Sequence, residues 1–434
     1  MSRNFESSFS RLASLTNWEG KKRPKGYRFD LSGIEGLCAR LGSPEHRLRR
    51  VVQVGGSKGK GTVVSLLAGL ADRIGWRTGA FLSPHVRDLS ERILFAGRPC
   101  PLDDLAESVE RVASVLAEGQ TWFEAWTAVA LLRFAEGDPD LAVFEVGLGG
   151  RLDATSVIPK DLCVLTQVEL EHTRILGDSL ASVAAEKAGI LRPDTPCLTG
   201  AEGEALRVFE KRAAEVGCRL SVLNRDFGWR TLERSERGFE GRLRLEDGSE
   251  YRLRTDLRAR CHCRSLALAL EGLRRLRPEA PALLDQAGAW GRLSVLLPPA
   301  RFQVLAEDPP FVVDGAHTDG SLAALASDLE ENWPGRRFTM VFAVAGDKRW
   351  FEGLRRLSPL VDRFLVAPLA ERSCEDPCRI ASGLRGSGWK ARAFPSIAAA
   401  LEEAGRGRED GLGVLVAGSF YGAGEALEAF AESI

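Results

Sequence analysis

At 434 residues the chain exceeds one ordinary domain, and with 44% of its residues apolar it has enough material for real cores. A net charge of −1 gives no basic field for nucleic acid or anionic membrane; no run nears the roughly 18 apolar residues of a membrane span, and Met1-Ser-Arg-Asn-Phe5 lacks a secretory core. Nine cysteines scattered without a disulfide-like framework fit a reducing cytosol, so a cytoplasmic protein acting on small molecules is expected.

A Lys/Pro-rich loop at 21–26, carrying Lys21, Lys22 and Lys25, precedes a helical pattern over 32–41. Val51–Val54 reads as a short buried strand, followed by Gly55-Gly-Ser-Lys-Gly-Lys-Gly-Thr62 and by apolar residues at helical spacing, Val63, Leu66, Leu67, Leu70 and Ile74. Gly79–Leu82 is a second apolar run, a helix is predicted over 123–135, and strands over 141–146 and 162–168. Arg242–Arg254 alternates strictly around Asp247-Gly248 and reads as a hairpin. Leu297-Pro-Pro299 is the best boundary, dividing the chain into 1–297 and 298–434. Beyond it come strands at 311–313, 339–344, 363–366 and 413–417, with helices near 320–330, 350–357 and 396–404. The alternation predicts an α/β fold: a larger domain with a mainly parallel sheet and one hairpin element, then a smaller Rossmann-like α/β domain.

Strand, glycine loop, helix is the order a phosphate loop requires. Glycines let backbone N–H groups approach phosphate oxygens, and the helix adds its positive end. Gly56, Ser57, Lys58, Gly59, Lys60, Gly61 and Thr62 are therefore the expected phosphate contacts, with Lys60 on the terminal phosphates and the Thr62 hydroxyl on Mg²⁺. Lysine is rare here, ten residues against 49 arginines, which sets Lys58, Lys60 and Lys187 apart. Motifs then recur at strand ends, where open α/β sheets hold ligands. Ser83-Pro-His85 is followed by Glu91-Arg92, whose arginine suits a bidentate carboxylate clamp. Glu145-Val-Gly-Leu-Gly-Gly-Arg-Leu-Asp153 places a carboxylate beside a glycine turn, with Asp153 either touching substrate or capping that turn. Glu171-His172 and Glu186-Lys187 come next. After the boundary stand Arg301-Phe-Gln, Asp314-Gly-Ala-His317, Asp347-Lys348 and Gly418-Ser-Phe-Tyr421, which suggest a second ligand-facing edge and a nucleotide held in a cleft. Cys261-His-Cys263 and Cys374-x3-Cys378 lack structural zinc spacing.

In this order the motifs resemble the folylpolyglutamate synthase/dihydrofolate synthase family, within the Mur-ligase-like group. The resemblance runs from Leu15-Thr-Asn-Trp-Glu19 and Leu41-Gly-Ser-Pro44 through Trp122-Phe-Glu124, Glu145–Asp153 and Glu186–Ile190 to Gly418–Tyr421. It implies an ATP-dependent, magnesium-requiring ligase that joins L-glutamate through an acyl phosphate to dihydropteroate or a tetrahydrofolate polyglutamate, usually as a monomer. By position it implies Lys60, Lys187 and His317 as catalytic residues, and two magnesium sites drawing on Thr62, Ser83, Glu145 and His172. It further implies a carbamylated Lys187, nucleotide contacts from Arg301 and Asp314, and substrate contacts from Arg92, Asp153, His317 and Ser419. Three departures stand out: Glu171 where the family often has Asp, and Ser265 and Thr318 where it has Asn. The last two leave open a related ligase with a different carboxylate acceptor.

Overall fold

The computed structural model describes residues 3–17, 30–235, 237–346, 349–370, 374–408 and 411–432. Lys21, Lys22, Lys25, the Trp18-Glu19 end of the first motif and Asp347-Lys348 lie outside the described residues. The chain forms two compact units. One holds Met1–Pro84, Ser90–Leu257 and Cys261–Leu296; the other holds Leu297–Ile434 with two short outlying segments, His85–Leu89 and Arg258–Arg260. Nothing in the composition of those segments announces that they leave the surrounding domain.

The larger unit is built on an eight-stranded sheet ordered β4-β3-β2-β5-β1-β6-β7-β8. Its strands are β1 Val51–Gly55, β2 Thr78–Phe81, β3 Ile93–Phe95, β4 Arg98–Pro99, β5 Leu141–Glu145, β6 Leu162–Leu165, β7 Cys197–Thr199 and β8 Leu220–Val222. Six strands run parallel; β3 and β4 form an antiparallel edge. Every residue of β1, β5 and β6 is buried, because helices cover both faces of such a sheet and its strands must be apolar throughout. Val54 pairs with Glu145 on one side and Val164 on the other. The loops after β5, β1 and β6 therefore emerge side by side at the carboxyl ends of the sheet.

The expected hairpin is a three-stranded meander of β9 Gly228–Ser235, β10 Gly238–Arg244 and β11 Glu250–Thr255, in the order β11-β10-β9. Its turn holds Gly248 at φ +88°, and the Asp247 carboxylate accepts from the Ser249 N–H at 2.9 Å. β9 escapes a reading of the sequence because most of its side chains are exposed, leaving no apolar alternation to detect.

The smaller unit carries a six-stranded sheet, β12-β13-β17-β14-β15-β16. Its strands are β12 Gln303–Glu307, β13 Pro310–Val313, β14 Phe338–Phe342, β15 Val361–Val366, β16 Ala391–Ala393 and β17 Gly413–Ala417, parallel except for β12. Two apolar layers, one around Met340, Phe342 and Leu415 and one around Val341, Val313 and Val416, pack on its faces.

Candidate active site

β1 ends at Gly55, and the loop that follows turns directly into the helix Lys60–Arg73. Gly56 has φ +137°, and a Cβ there would sit 1.9 Å from the Thr166 hydroxyl, so only glycine fits. Gly59 caps the helix at φ +83°. The Ser57 N–H donates to the Gln167 carbonyl at 2.7 Å and the Lys58 N–H shares that acceptor at 3.4 Å. These two groups pin the loop to the segment after β6. The N–H groups of Lys60, Gly61 and Thr62 form the first helical turn, which has no intrahelical acceptors and aims the positive helix end outward. Gln167, which the sequence did not single out, acts through its backbone and so left no side-chain signal.

Glu145 is the last residue of β5. One carboxylate oxygen accepts the Ser83 N–H at 3.0 Å, and the other lies 3.9 Å from Lys60 Nζ. Both side chains are largely buried, Lys60 at 15% and Glu145 at 6% exposure. The glycine turn beyond it presses on its neighbours: a Cβ on Gly147 would strike Phe123 at 2.5 Å, and one on Gly150 would lie 3.0 Å from the Glu186 carbonyl. Asp153 is internal to this turn. Its carboxylate accepts from the Leu148 N–H at 2.9 Å, the Thr155 N–H at 3.1 Å and the Thr155 hydroxyl at 2.6 Å. Burial pushes this carboxyl above its usual range against the pull of those donors. Its donors all lie within the turn, so Asp153 caps that turn.

On the other side of the loop, Lys187 is 2% exposed and donates to the Gly56 carbonyl and to Glu171 Oε1, both at 2.9 Å. Burial opposes charge on both partners. It pushes the Lys187 ammonium below the ordinary lysine range, whereas at Glu171 the fields of Lys187, Lys60 and His172 overcome it and hold the carboxyl down to about 2. His172 is exposed, sits at φ +48° and heads the short helix Thr173–Leu176. Ser265, at a position the resemblance places near the nucleotide, has its hydroxyl 3.5 Å from where a Gly59 Cβ would lie and donates it to the Cys261 carbonyl at 2.9 Å. Arg92 is fully buried, its guanidinium over the Trp122 ring at 4.6 Å.

In the smaller unit, Asp314 accepts from the Phe302 N–H and the Ala316 N–H, each at 2.7 Å. It thereby shapes the bend that carries Arg301, flanked by Ala300 and Phe302 at φ +56° and +45°. Phe420 organises the rest: the Arg301 guanidinium lies 3.9 Å from its ring centre and the His317 ring meets its edge at 5.6 Å. A Cβ on Gly315 would overlap that ring at 1.8 Å. Phe420 lay within a quoted motif, but its role as a platform depends on residues over 100 positions away. Ser419 is buried and accepts the Tyr421 N–H at 3.2 Å at the start of the helix Phe420–Glu432. Thr318 caps the helix Asp319–Asn332 in a reciprocal arrangement with Ser321, a sufficient reason for a hydroxyl there.

Among the described residues no group of three His, Cys, Asp or Glu side chains is placed to hold a metal alone. The donors the resemblance implies are instead one buried carboxylate, Glu145, hydroxyls and one imidazole. That set fits Mg²⁺, which takes one or two carboxylates and completes its shell with water and substrate phosphates.

Residues 300–420 match the family model described as Mur ligase, glutamate ligase domain. The chain is 32% identical over 423 residues to a probable bifunctional folylpolyglutamate synthase/dihydropteroate synthase of Haloferax volcanii, a match covering 92% of this chain and 48% of that protein. The chain thus spans about half of that relative's length. It is 28% identical over 420 residues to the dihydrofolate synthase/folylpolyglutamate synthase of Escherichia coli, covering 96% of this chain and 95% of the relative. A solved structure of E. coli FolC in complex with DHPP and ADP superposes with a TM-score of 0.85 at 27% identity, covering 99% of this chain and 98% of that one. No helix among the described residues is long and apolar enough to cross a membrane. Sequence relatives and solved structure agree along nearly the whole length, and the chain belongs to the folylpolyglutamate synthase/dihydrofolate synthase family.

Proposed function

We propose that this protein uses ATP to join L-glutamate to the free carboxylate of a folate-type acceptor, either dihydropteroate or a tetrahydrofolate polyglutamate. The observation that carries this reading is the arrangement around the loop 56–62, where a bare helix end is flanked by the Lys60–Glu145 and Lys187–Glu171 pairs. The acceptor carboxylate attacks the terminal phosphorus of ATP, breaking the bond to the bridging oxygen and releasing ADP. The glutamate amine then attacks the acyl carbon, phosphate leaves and the surplus amine proton passes to solvent.

We assign the nucleotide chemistry to residues 1–297 and glutamate ligation to 298–434. The helix end at Lys60–Thr62 binds phosphate, and Lys60 follows the transferring group. Thr62, Ser83, Glu145 and His172 are the donors for Mg²⁺, which when bound offsets charge on the phosphoryl group. Arg301, presented by the Asp314 bend, is the cation offered to nucleotide; His317 and Ser419 are offered to glutamate. Carbamylation of Lys187 would form an N–C bond to CO₂, release protons and turn a cation facing Glu171 into an anion, so it needs a metal ion alongside. Intact-mass measurement with and without bicarbonate tests that modification.

The test of function is ADP release with dihydropteroate and tetrahydrofolate assayed side by side. Release should require acceptor, glutamate and Mg²⁺ together, and the product should gain one glutamate by mass. Release that ignores the acceptor, or a product lacking glutamate, would overturn the reading.

A further inference from the structure

Gln53 sits in the middle of β1, the strand that delivers the phosphate loop, and is 1% exposed. A buried amide in a central strand is costly unless each polar group is bonded. Here each is. Oε1 accepts from Lys160 Nζ, and Nε2 donates to Thr155 Oγ1 at 2.8 Å and to Ser156 Oγ at 3.1 Å. Both hydroxyls then pass the constraint on. Thr155 donates to Asp153 at 2.6 Å, and Asp153 holds the Leu148 N–H; Ser156 donates to the Gly150 carbonyl at 2.5 Å. The two branches thus end at Leu148 and Gly150, within the turn that leaves Glu145. That turn is clamped to the helix Leu180–Ala188: the Arg151 N–H donates to the Glu186 carbonyl at 3.0 Å, and Gly150 lies flush against Glu186 and Lys187.

We propose that Gln53, Thr155 and Ser156 are positioning residues that set Glu145 and Lys187 relative to the phosphate loop. One amide in β1 bonds to the Thr155 and Ser156 hydroxyls, and through them reaches Leu148 and Gly150 in the turn that leaves Glu145. Lys160, half-buried and held by burial at about 8 rather than in the ordinary lysine range, fixes which way the amide points by occupying its oxygen. A purely structural core would fill these positions with apolar side chains, as at the neighbouring Val52 and Val54. The inference rests on the proposed ATP- and Mg²⁺-dependent chemistry.

The test is Thr155→Val, which keeps shape but removes the link between Gln53 and Asp153, with Thr155→Ser as the conservative rescue. Two readouts are taken: kcat and KM for ligation, and the affinity for ADP with and without Mg²⁺. Outer-shell partners of this type are worth about 10–100-fold. Thr155→Val should lower kcat at least tenfold with KM for ATP within about twofold, and should shrink the Mg²⁺ enhancement of ADP binding by about tenfold, while ADP alone binds as before. Thr155→Ser should restore both. If Thr155→Val lowers only the melting temperature, or weakens ADP equally with and without Mg²⁺, the positioning role is overturned. Should Thr155→Val fail to fold, Gln53→Glu takes its place. It keeps the Lys160 contact but draws the Thr155 proton away from Asp153, and the same pattern of results decides. If the unaltered protein ligates no folate-type acceptor, the functional reading fails, and the Mg²⁺ dependence of ADP binding still decides this one.

Discussion

Replacing Lys187 by Met should destabilise the protein chiefly through the carboxylate it abandons. Lys187 and Glu171 meet at 2.9 Å, with side chains 2% and 18% exposed. In the intact pair the Glu171 carboxyl is held at about 2 against an ordinary 4.5, a difference that converts to about 3 kcal/mol at neutral pH. The sign follows from the direction. A depressed carboxyl stabilises above its unfolded value, and that contribution is lost as pH falls from about 4.5 toward 2. Lys60 and His172 share in that shift and burial opposes the Lys187 charge, so Lys187→Met should cost at most about 3 kcal/mol at pH 7. The gap to the unaltered protein should narrow below pH 4.5 as Glu171 takes up its proton. Urea unfolding in bicarbonate-free buffer with chelator, at pH 7 and pH 4, measures both. Adding Glu171→Gln removes the stranded charge, so the double variant should recover about 2 kcal/mol of the loss. A Lys187→Met loss that is the same at both pH values, or is not relieved by Glu171→Gln, would refute the argument that an unpaired buried carboxylate is the cause.

Gly56→Ala should weaken ADP binding at least tenfold by calorimetry, since φ +137° is foreign to alanine and its Cβ would meet Thr166 at 1.9 Å; unchanged affinity would show that the loop relaxes without cost. Asp72 is a carboxyl raised by burial to about 6, despite accepting from the Thr78 N–H at 3.2 Å and hydroxyl at 2.9 Å. Its stabilising share is complete below about pH 3.8 and is lost as pH rises through 6. Asp72→Asn should accordingly raise the melting temperature more at pH 8 than at pH 5, and a gain that is larger at pH 5 would contradict the shift.

The parts of the fold that were legible in the sequence are those where one local rule governs. β1, β5 and β6 are short apolar runs because both faces are covered, and the glycine loop after β1 has to be followed by a helix for its N–H groups to point anywhere useful. Glu145 was legible as a carboxylate at a strand end. Its neighbour Asp153 was ambiguous, since a turn cap and a substrate contact use the same residue type, and only the donors around it distinguish them. Gln53 and Lys160 were illegible: a single polar residue in an apolar strand looks like noise until its partners, about 100 positions along the chain, are in place. The ring beneath Arg92 was illegible too: its guanidinium lies over Trp122, a partner that pattern and spacing cannot supply.

The two ion pairs beside the loop also bear on how the site tolerates being empty. Under the proposed function Lys60 and Lys187 serve phosphate and metal chemistry, and both are largely buried. Two uncompensated cations there would each carry a heavy desolvation cost. Glu145 and Glu171 neutralise them in place, so the resting site has no net charge from these four groups. In the proposed reaction the phosphates of ATP take over as partners of Lys60, freeing Glu145 for a divalent cation. Neither change alone is balanced: phosphate without metal places its charge against Glu145, and metal without phosphate faces the Lys60 ammonium. Nucleotide and metal affinities should then depend on each other, and a contact that sets the distance from Glu145 to the loop, as the Gln53 network does, acts on the pair of ligands more than on either one.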